Sequence, residues 1–203
     1  MRQIPVFAGL GSDVLFSDPA RQQALRDARS PQGQVLLEAC HRTFVEEVSL
    51  SAKTDGQLGI DLDDFRRPRD LIQPCERYHR HSVVQHAILC IAQLLRYQQR
   101  NLHALLDNAQ VAHAASGFCA GLFTALVVAT AQSFLEYLSR AEQCFRVAVM
   151  LGIASERSRR KIRSTSSREP WSFIIDGIGR EEMAELLSAY HPNQVWDYCA
   201  NKR

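Results

Sequence analysis

Gln110-Val111-Ala112-His113-Ala114-Ala115-Ser116-Gly117-Phe118-Cys119-Ala120-Gly121 leads into an apolar run over residues 122–131. The first six residues are largely apolar and strand-like, and the run after Gly121 has the length of a helix. Between them stands G-x-C-x-G, a reactive side chain flanked by glycines. A strand that turns sharply into a helix needs this spacing. The glycines remove Cβ atoms where strand and helix nearly touch, and the nucleophile sits in a backbone conformation that only a tight turn enforces. The helix that starts there offers free N–H groups and the positive end of its dipole, which suit a thiolate and an oxyanion. On the motif alone two readings of Cys119 stay open: an acyl-thioester former, or a buried structural cysteine in a glycine-containing turn.

Composition narrows the classes. With 203 residues, 46% of them hydrophobic and 23% charged, the chain supports one or two packed domains. A net charge of +2 and the lack of a basic stripe with interleaved aromatics argue against nucleic acid. The cysteines Cys40, Cys75, Cys90, Cys119, Cys144 and Cys199 are scattered, without a C-x-x-C pair or zinc-finger spacing. This points to reduced thiols in a cytoplasmic protein, with neither a disulfide framework nor a structural metal. The N-terminus reaches glycine and then Asp13 too soon for a secretory signal, and no run is long enough to span a membrane.

Outward from the elbow, residues 5–8 read as a strand that enters the turn Gly9-Leu10-Gly11-Ser12, a second backbone loop of the same site. Residues 21–29 and 34–48 read as helices, the latter with Leu36, Leu37, Cys40, Phe44 and Val48 on one side. Residues 51–70 read as a charged, solvated loop. The spacing predicts a strongly buried helix over 82–98 and another over 134–151. Helices alternating with sparse strands give an α/β class. Three segments follow: residues 1–154 as a large subdomain, 155–169 as a basic Ser/Arg linker, and 170–203 as the start of a second subdomain with a strand at 171–177 and a helix at 180–190. The basic linker reads as a solvated loop, with an acidic carrier protein as the partner it would attract.

Val6-Phe7-Ala8-Gly9-Leu10-Gly11-Ser12, the helix around residues 81–96, the elbow Gly117-Phe118-Cys119-Ala120-Gly121 and the helix over 141–152 together resemble the starter unit:ACP transacylase domain of fungal non-reducing polyketide synthases. Pro170-Trp171-Ser172-Phe173-Ile174-Ile175 resembles the opening of that family's ferredoxin-like small subdomain. The resemblance implies an acyltransferase-type, hydrolase-like large domain. It makes Cys119 the nucleophile that takes an acyl group from acyl-CoA or acyl-ACP and passes it to the phosphopantetheine thiol of an acyl carrier protein, with no bound cofactor. Leu10, where related acyltransferases commonly carry glutamine, and Ala120 would form the oxyanion hole through their backbone N–H groups. Arg146 falls where extender-unit acyltransferases keep an arginine for a substrate carboxylate, and a salt-bridged helical arginine is its other reading. The partners implied are an acyl carrier protein and the remainder of a polyketide synthase or fatty acid synthase.

In that family the catalytic histidine lies beyond the small subdomain, and no residue up to Arg203 matches it. The chain is therefore expected to be the first half of the domain, impaired in turnover and inclined to self-associate through uncovered apolar surface. The competing expectations are a catalytically silent fragment that binds an acyl chain or carrier protein, and a small cysteine thioesterase or hydrolase. His113 would be the local substitute base, although strand alternation does not aim it back at Cys119. His79, His81 and His86 cluster near a helix start without the further ligands a metal needs, and read as solvated or satisfied histidines.

Overall fold

A computed structural model of the chain describes residues 4–9, 17–55, 58–107, 114–162 and 185. The chain divides into two units, Met1–Ser164 and Thr165–Arg203. The first contains strand β1 (Val6–Phe7), helix α1 (Asp18–Asp27), helix α2 (Pro31–Asp55), helix α3 (Ser82–Leu106), strand β2 (Ser116–Gly117), helix α4 (Gly121–Thr130) and helix α5 (Phe134–Ile162). The strand and helix expected over 171–177 and 180–190 lie outside the described residues, apart from Glu185.

The core forms around α3, whose side chains are apolar on nearly all sides. Val83, Val84, Ala87, Ile88, Ile91, Leu94 and Leu95 are all buried. A helix with so little polar face must be enclosed by other elements. On α5, Tyr137, Ala141, Phe145, Ala148 and Val149 recur at helical spacing and are buried against the same core. These two helices run antiparallel: the Tyr137 hydroxyl donates to the Leu94 carbonyl at 2.6 Å, while Gly152 meets the start of α3. There a Cβ would stand 2.6 Å from the Cα of Val83, so only glycine permits the approach. α2 lies parallel to α5, with Thr43 bonded to Glu142, Arg146 to Glu46 and Glu47, and Arg157 to Ser51.

Two stretches are more regular than their polarity predicts. α2 continues to Asp55, and residues 62–78 form short 3-10 turns, Leu62–Phe65, Pro68–Leu71 and Glu76–Tyr78. Their apolar minority is what orders them. Phe65, Leu71, Ile72 and Tyr78 are buried, with the Phe65 ring 4.9 Å from Phe44 and 5.1 Å from Tyr78. α5 likewise runs through the first part of the stretch expected as a linker and reaches Ile162. Glu156 explains the extension: its buried carboxylate accepts from Arg159 and Arg160 one turn onward, and the cation–anion spacing supports helix. Residues 163–169 are outside the described part.

Only two residues of each strand pair. β1 and β2 are parallel, with Val6 opposite Ser116 and Phe7 opposite Gly117. One face is covered, since Phe7 is buried beside Tyr97, whereas Val6 is 74% exposed. The result is a mostly helical α/β arrangement with a small two-stranded parallel sheet. Among the described residues no helix is long and apolar enough to cross a membrane.

Candidate active site

The strand–turn–helix expected around Cys119 is present. β2 ends at Gly117, and α4 begins at Gly121. Pairing with β1 fixes the entry: the Ser116 N–H donates to the Pro5 carbonyl and the Phe118 N–H to the Phe7 carbonyl, each at 2.9 Å. The exit is fixed by the turn itself, where the Gly121 N–H donates to the Phe118 carbonyl at 2.9 Å and the Leu122 N–H to the Cys119 carbonyl at 3.1 Å. Between these anchors Cys119 is forced to φ 53° and, among the described residues, is the non-glycine residue with left-handed backbone. A side chain disfavours that region, so the surrounding bonds must hold it. Cys119 is exposed.

Each flanking glycine has a steric reason. A Cβ on Gly117 would stand 2.5 Å from the Leu122 Cα, and one on Gly121 would stand 2.5 Å from the Ala8 carbonyl oxygen. A third glycine completes the site. A Cβ on Gly9 would lie 2.5 Å from the Cβ of Cys119, so the loop after β1 passes directly against that side chain. The Gln93 side-chain amide on α3 donates to the Ala8 carbonyl at 2.7 Å. Sequence reading did not single out Gln93, and its only signal is a polar residue within an otherwise apolar helical run.

The other expected site residues divide. Ala120 sits at the start of α4, in the turn, and among the described residues its N–H is not a donor in the bonds that close the elbow. Leu10 and His113 lie outside the described residues. Arg146 bonds Glu46 at 3.1 Å and also Glu47, joining α5 to α2; those carboxylates hold its guanidinium above its ordinary range. His81 is bonded to the Leu58 carbonyl at 3.0 Å, His86 to the Ser82 carbonyl at 2.8 Å, and His79 to Arg21. Among the described residues no cluster of histidine, cysteine and carboxylate side chains could hold a metal ion.

The thiols differ in environment. Cys40 and Cys90 are buried; burial pushes the Cys40 thiol well up, and the neighbouring Cys144 sulfur together with burial does the same to Cys90. A thiol so placed is a poor nucleophile. Cys75 is exposed but lies at the start of a 3-10 turn, away from any elbow. Beside Cys119, Phe118 in the turn and Leu122 and Leu126 on α4 are exposed.

This geometry defines an exposed cysteine on a tight strand–helix elbow. Residues 15–197 match the family described as starter unit:ACP transacylase in aflatoxin biosynthesis, and the chain belongs to that family. An orsellinic acid synthase of Beauveria bassiana is 37% identical over 195 residues, covering 90% of this chain and 8% of that protein. An orsellinic acid synthase of Armillaria mellea is 30% identical over 203 residues, 93% of this chain and 9% of that protein. A non-reducing polyketide synthase of Pseudevernia furfuracea is 30% identical over 125 residues, 60% of this chain and 6% of that protein. The chain thus spans less than a tenth of the length of these relatives. No solved structure gives a significant match.

Proposed function

We propose that this chain carries the starter-unit loading chemistry of a non-reducing polyketide synthase, with Cys119 as the acyl carrier. The observation that supports it most directly is the left-handed, exposed Cys119 held between β2 and the start of α4. In the first half-reaction the Cys119 sulfur attacks the carbonyl carbon of an acyl-CoA or acyl-ACP. A C–S bond forms, the carbonyl electron pair moves to oxygen, and collapse expels the donor thiol, which takes up the proton lost from Cys119. In the second, the phosphopantetheine thiol of a carrier protein attacks the enzyme thioester and Cys119 leaves. Both tetrahedral intermediates place their oxyanion against the same donors, for which the N–H groups of Ala120 and Leu10 are proposed. An acyltransferase-type large domain with a ferredoxin-like small subdomain is the fold this reading implies.

The proton on Cys119 needs an acceptor. Among the described residues no histidine is hydrogen-bonded to Cys119, and His41, His81 and His86 are each engaged by a backbone carbonyl. On this reading a form without such an acceptor transfers acyl groups slowly, by about 10²–10⁴ relative to a form supplied with a base. A role for Arg146 at a substrate carboxylate would require it to leave Glu46 and Glu47, which suits an uncharged starter group better. Incubation with an acyl-CoA followed by peptide mapping, then addition of a phosphopantetheinylated carrier protein, tests the reading. The acyl mass should appear on the peptide containing Cys119 and move to the carrier. A folded chain that stays unmodified at Cys119 would refute it, and release of free acid with no carrier product would make it a thioesterase.

A further inference from the structure

Gln93 lies on the most enclosed helix of the fold, next to the buried Leu94 and Leu95. Its Nε2–H donates to the Ala8 carbonyl at 2.7 Å, and the residue after Ala8 is Gly9, which packs against the Cys119 side chain. One side chain thus ties the core to the loop that faces the nucleophile. The other end of the same amide is an anomaly: its Oε1 is buried and has no hydrogen-bond partner among the described residues. Burying an acceptor without a donor costs stability, and a leucine or methionine would occupy the space without that cost. Packing therefore does not account for a glutamine here. What glutamine supplies that those apolar residues lack is the donor to Ala8.

The peptide plane gives that donor its use. The Ala8 carbonyl and the Gly9 N–H belong to one rigid plane, so fixing the oxygen fixes the direction of the N–H and the position of the Gly9 Cα. Donors for an oxyanion are effective when they are aimed before the charge develops, because no reorganisation is then needed during reaction. We infer that Gln93 is a positioning residue, holding the Ala8–Gly9 loop in the orientation that stabilises the oxyanion formed at Cys119. This rests on the reading of Cys119 as the acyl acceptor.

The test compares two reactions of the same thiol in the full 203-residue chain. Acylation by octanoyl-CoA passes through an oxyanion, whereas alkylation by iodoacetamide is a direct displacement that forms none. Both are followed at Cys119 by mass spectrometry under single-turnover conditions. Gln93→Leu and the near-isosteric Gln93→Met should slow acylation about tenfold, the value of one lost hydrogen bond. They should leave alkylation and Tm unchanged, or raise Tm. Gln93→Lys, which keeps a donor and removes the orphan acceptor, should restore most of the acylation rate. Equal acylation in wild type and Gln93→Leu overturns the proposal. So do parallel losses of acylation and alkylation in both apolar variants, which would mean a general disturbance of the elbow, or a Gln93→Lys variant as slow as Gln93→Leu. If wild type is alkylated at Cys119 but never acylated, the acyl-acceptor reading itself fails, and this inference with it.

Discussion

Gly9 and Cys119 are separated in sequence by α1, α2 and α3, yet a single methyl group on Gly9 would stand 2.5 Å from the Cys119 Cβ and 2.8 Å from the Phe118 carbonyl oxygen. Neither neighbour is the free end of a flexible side chain, so the loop must give way. Gly9→Ala should therefore lower Cys119 acylation by more than tenfold and cost about 1–3 kcal/mol from overpacking. Denaturant melts and the acyl-CoA assay check both. Wild-type acylation in this variant would mean that the loop after β1 is not part of the site.

Exposure and environment predict the order in which the thiols react. Of the five described thiols, a limiting dose of maleimide should label Cys119 and Cys75 before Cys144, with Cys40 and Cys90 labelled last, because among these only the first two are exposed. An acyl-CoA should discriminate further and modify Cys119 alone, since Cys75 is not on a strand–helix elbow. Cys119→Ser should keep the melting temperature and lose the acyl adduct. Peptide mapping after each treatment decides the matter, and acylation centred on Cys75 would sink the assignment.

Arg146 joins two helices through Glu46 and Glu47, half-exposed and within reach of solvent. Arg146→Ala should cost about 0.5–1 kcal/mol, in the range for partly exposed ion pairs, and lower Tm by a few degrees. Acylation of Cys119 by an uncharged acyl-CoA should stay within about twofold. A large selective loss with a carboxylated donor such as malonyl-CoA would instead assign Arg146 to substrate binding.

The end of α5 and the start of α3 meet at a cluster of titratable groups. His81 stands 4.0 Å from Glu156 and is bonded to the Leu58 carbonyl, with Arg159 and Arg160 paired to the same carboxylate. Burial holds His81 below the ordinary histidine value, and burial does the same to His86. Burial pushes the Glu156 carboxyl up, but the Arg159 hydrogen bond and the surrounding positive charge leave it below its ordinary value. All three groups are depressed in the folded state, so the unfolded chain binds more protons as the medium is acidified. Tm should fall as pH drops below about 6.5, where unfolded histidine begins to protonate, and fall again below about 4.5. Replacing His81 by Asn should flatten the first of these declines in a thermal-melt series across pH. A decline that His81→Asn leaves as steep as in wild type would mean His81 contributes little to it.

The elbow was legible because its requirements are local. Glycines at 117 and 121 and a cysteine at 119 follow from the backbone of one tight turn, and a short window contains all of them. The buried helices were legible for a similar reason, since the apolar pattern of α3 repeats within each turn. The strand expected over 110–115 lies outside the described residues apart from Ala114 and Ala115, and the pairing that is described, Ser116–Gly117 with Val6 and Phe7, depends on a partner more than a hundred residues away. Arg146 shows what spacing cannot show, as its carboxylate partners sit on α2, a hundred residues earlier. Gln93 is the same case in sharper form. Its importance lies in a bond to Ala8, 85 residues away in sequence, and nothing beside it in the chain marks it.

The parallel pairing has a consequence for how the site is assembled. Val6 finds Ser116 across more than a hundred intervening residues, most of them in α1, α2 and α3. Closing so long a loop is entropically unfavourable and only two residue pairs reward it, whereas each helix forms from neighbours a few positions apart. The helices should therefore assemble first and bring the two ends together, leaving the elbow the last element formed and the first released. In a stepwise denaturant series, amide hydrogens of β1 and β2 should exchange at concentrations where those of α3 and α5 are still protected. Cys119 would then lose its strained geometry, and with it any catalytic character, while most of the helical signal remains.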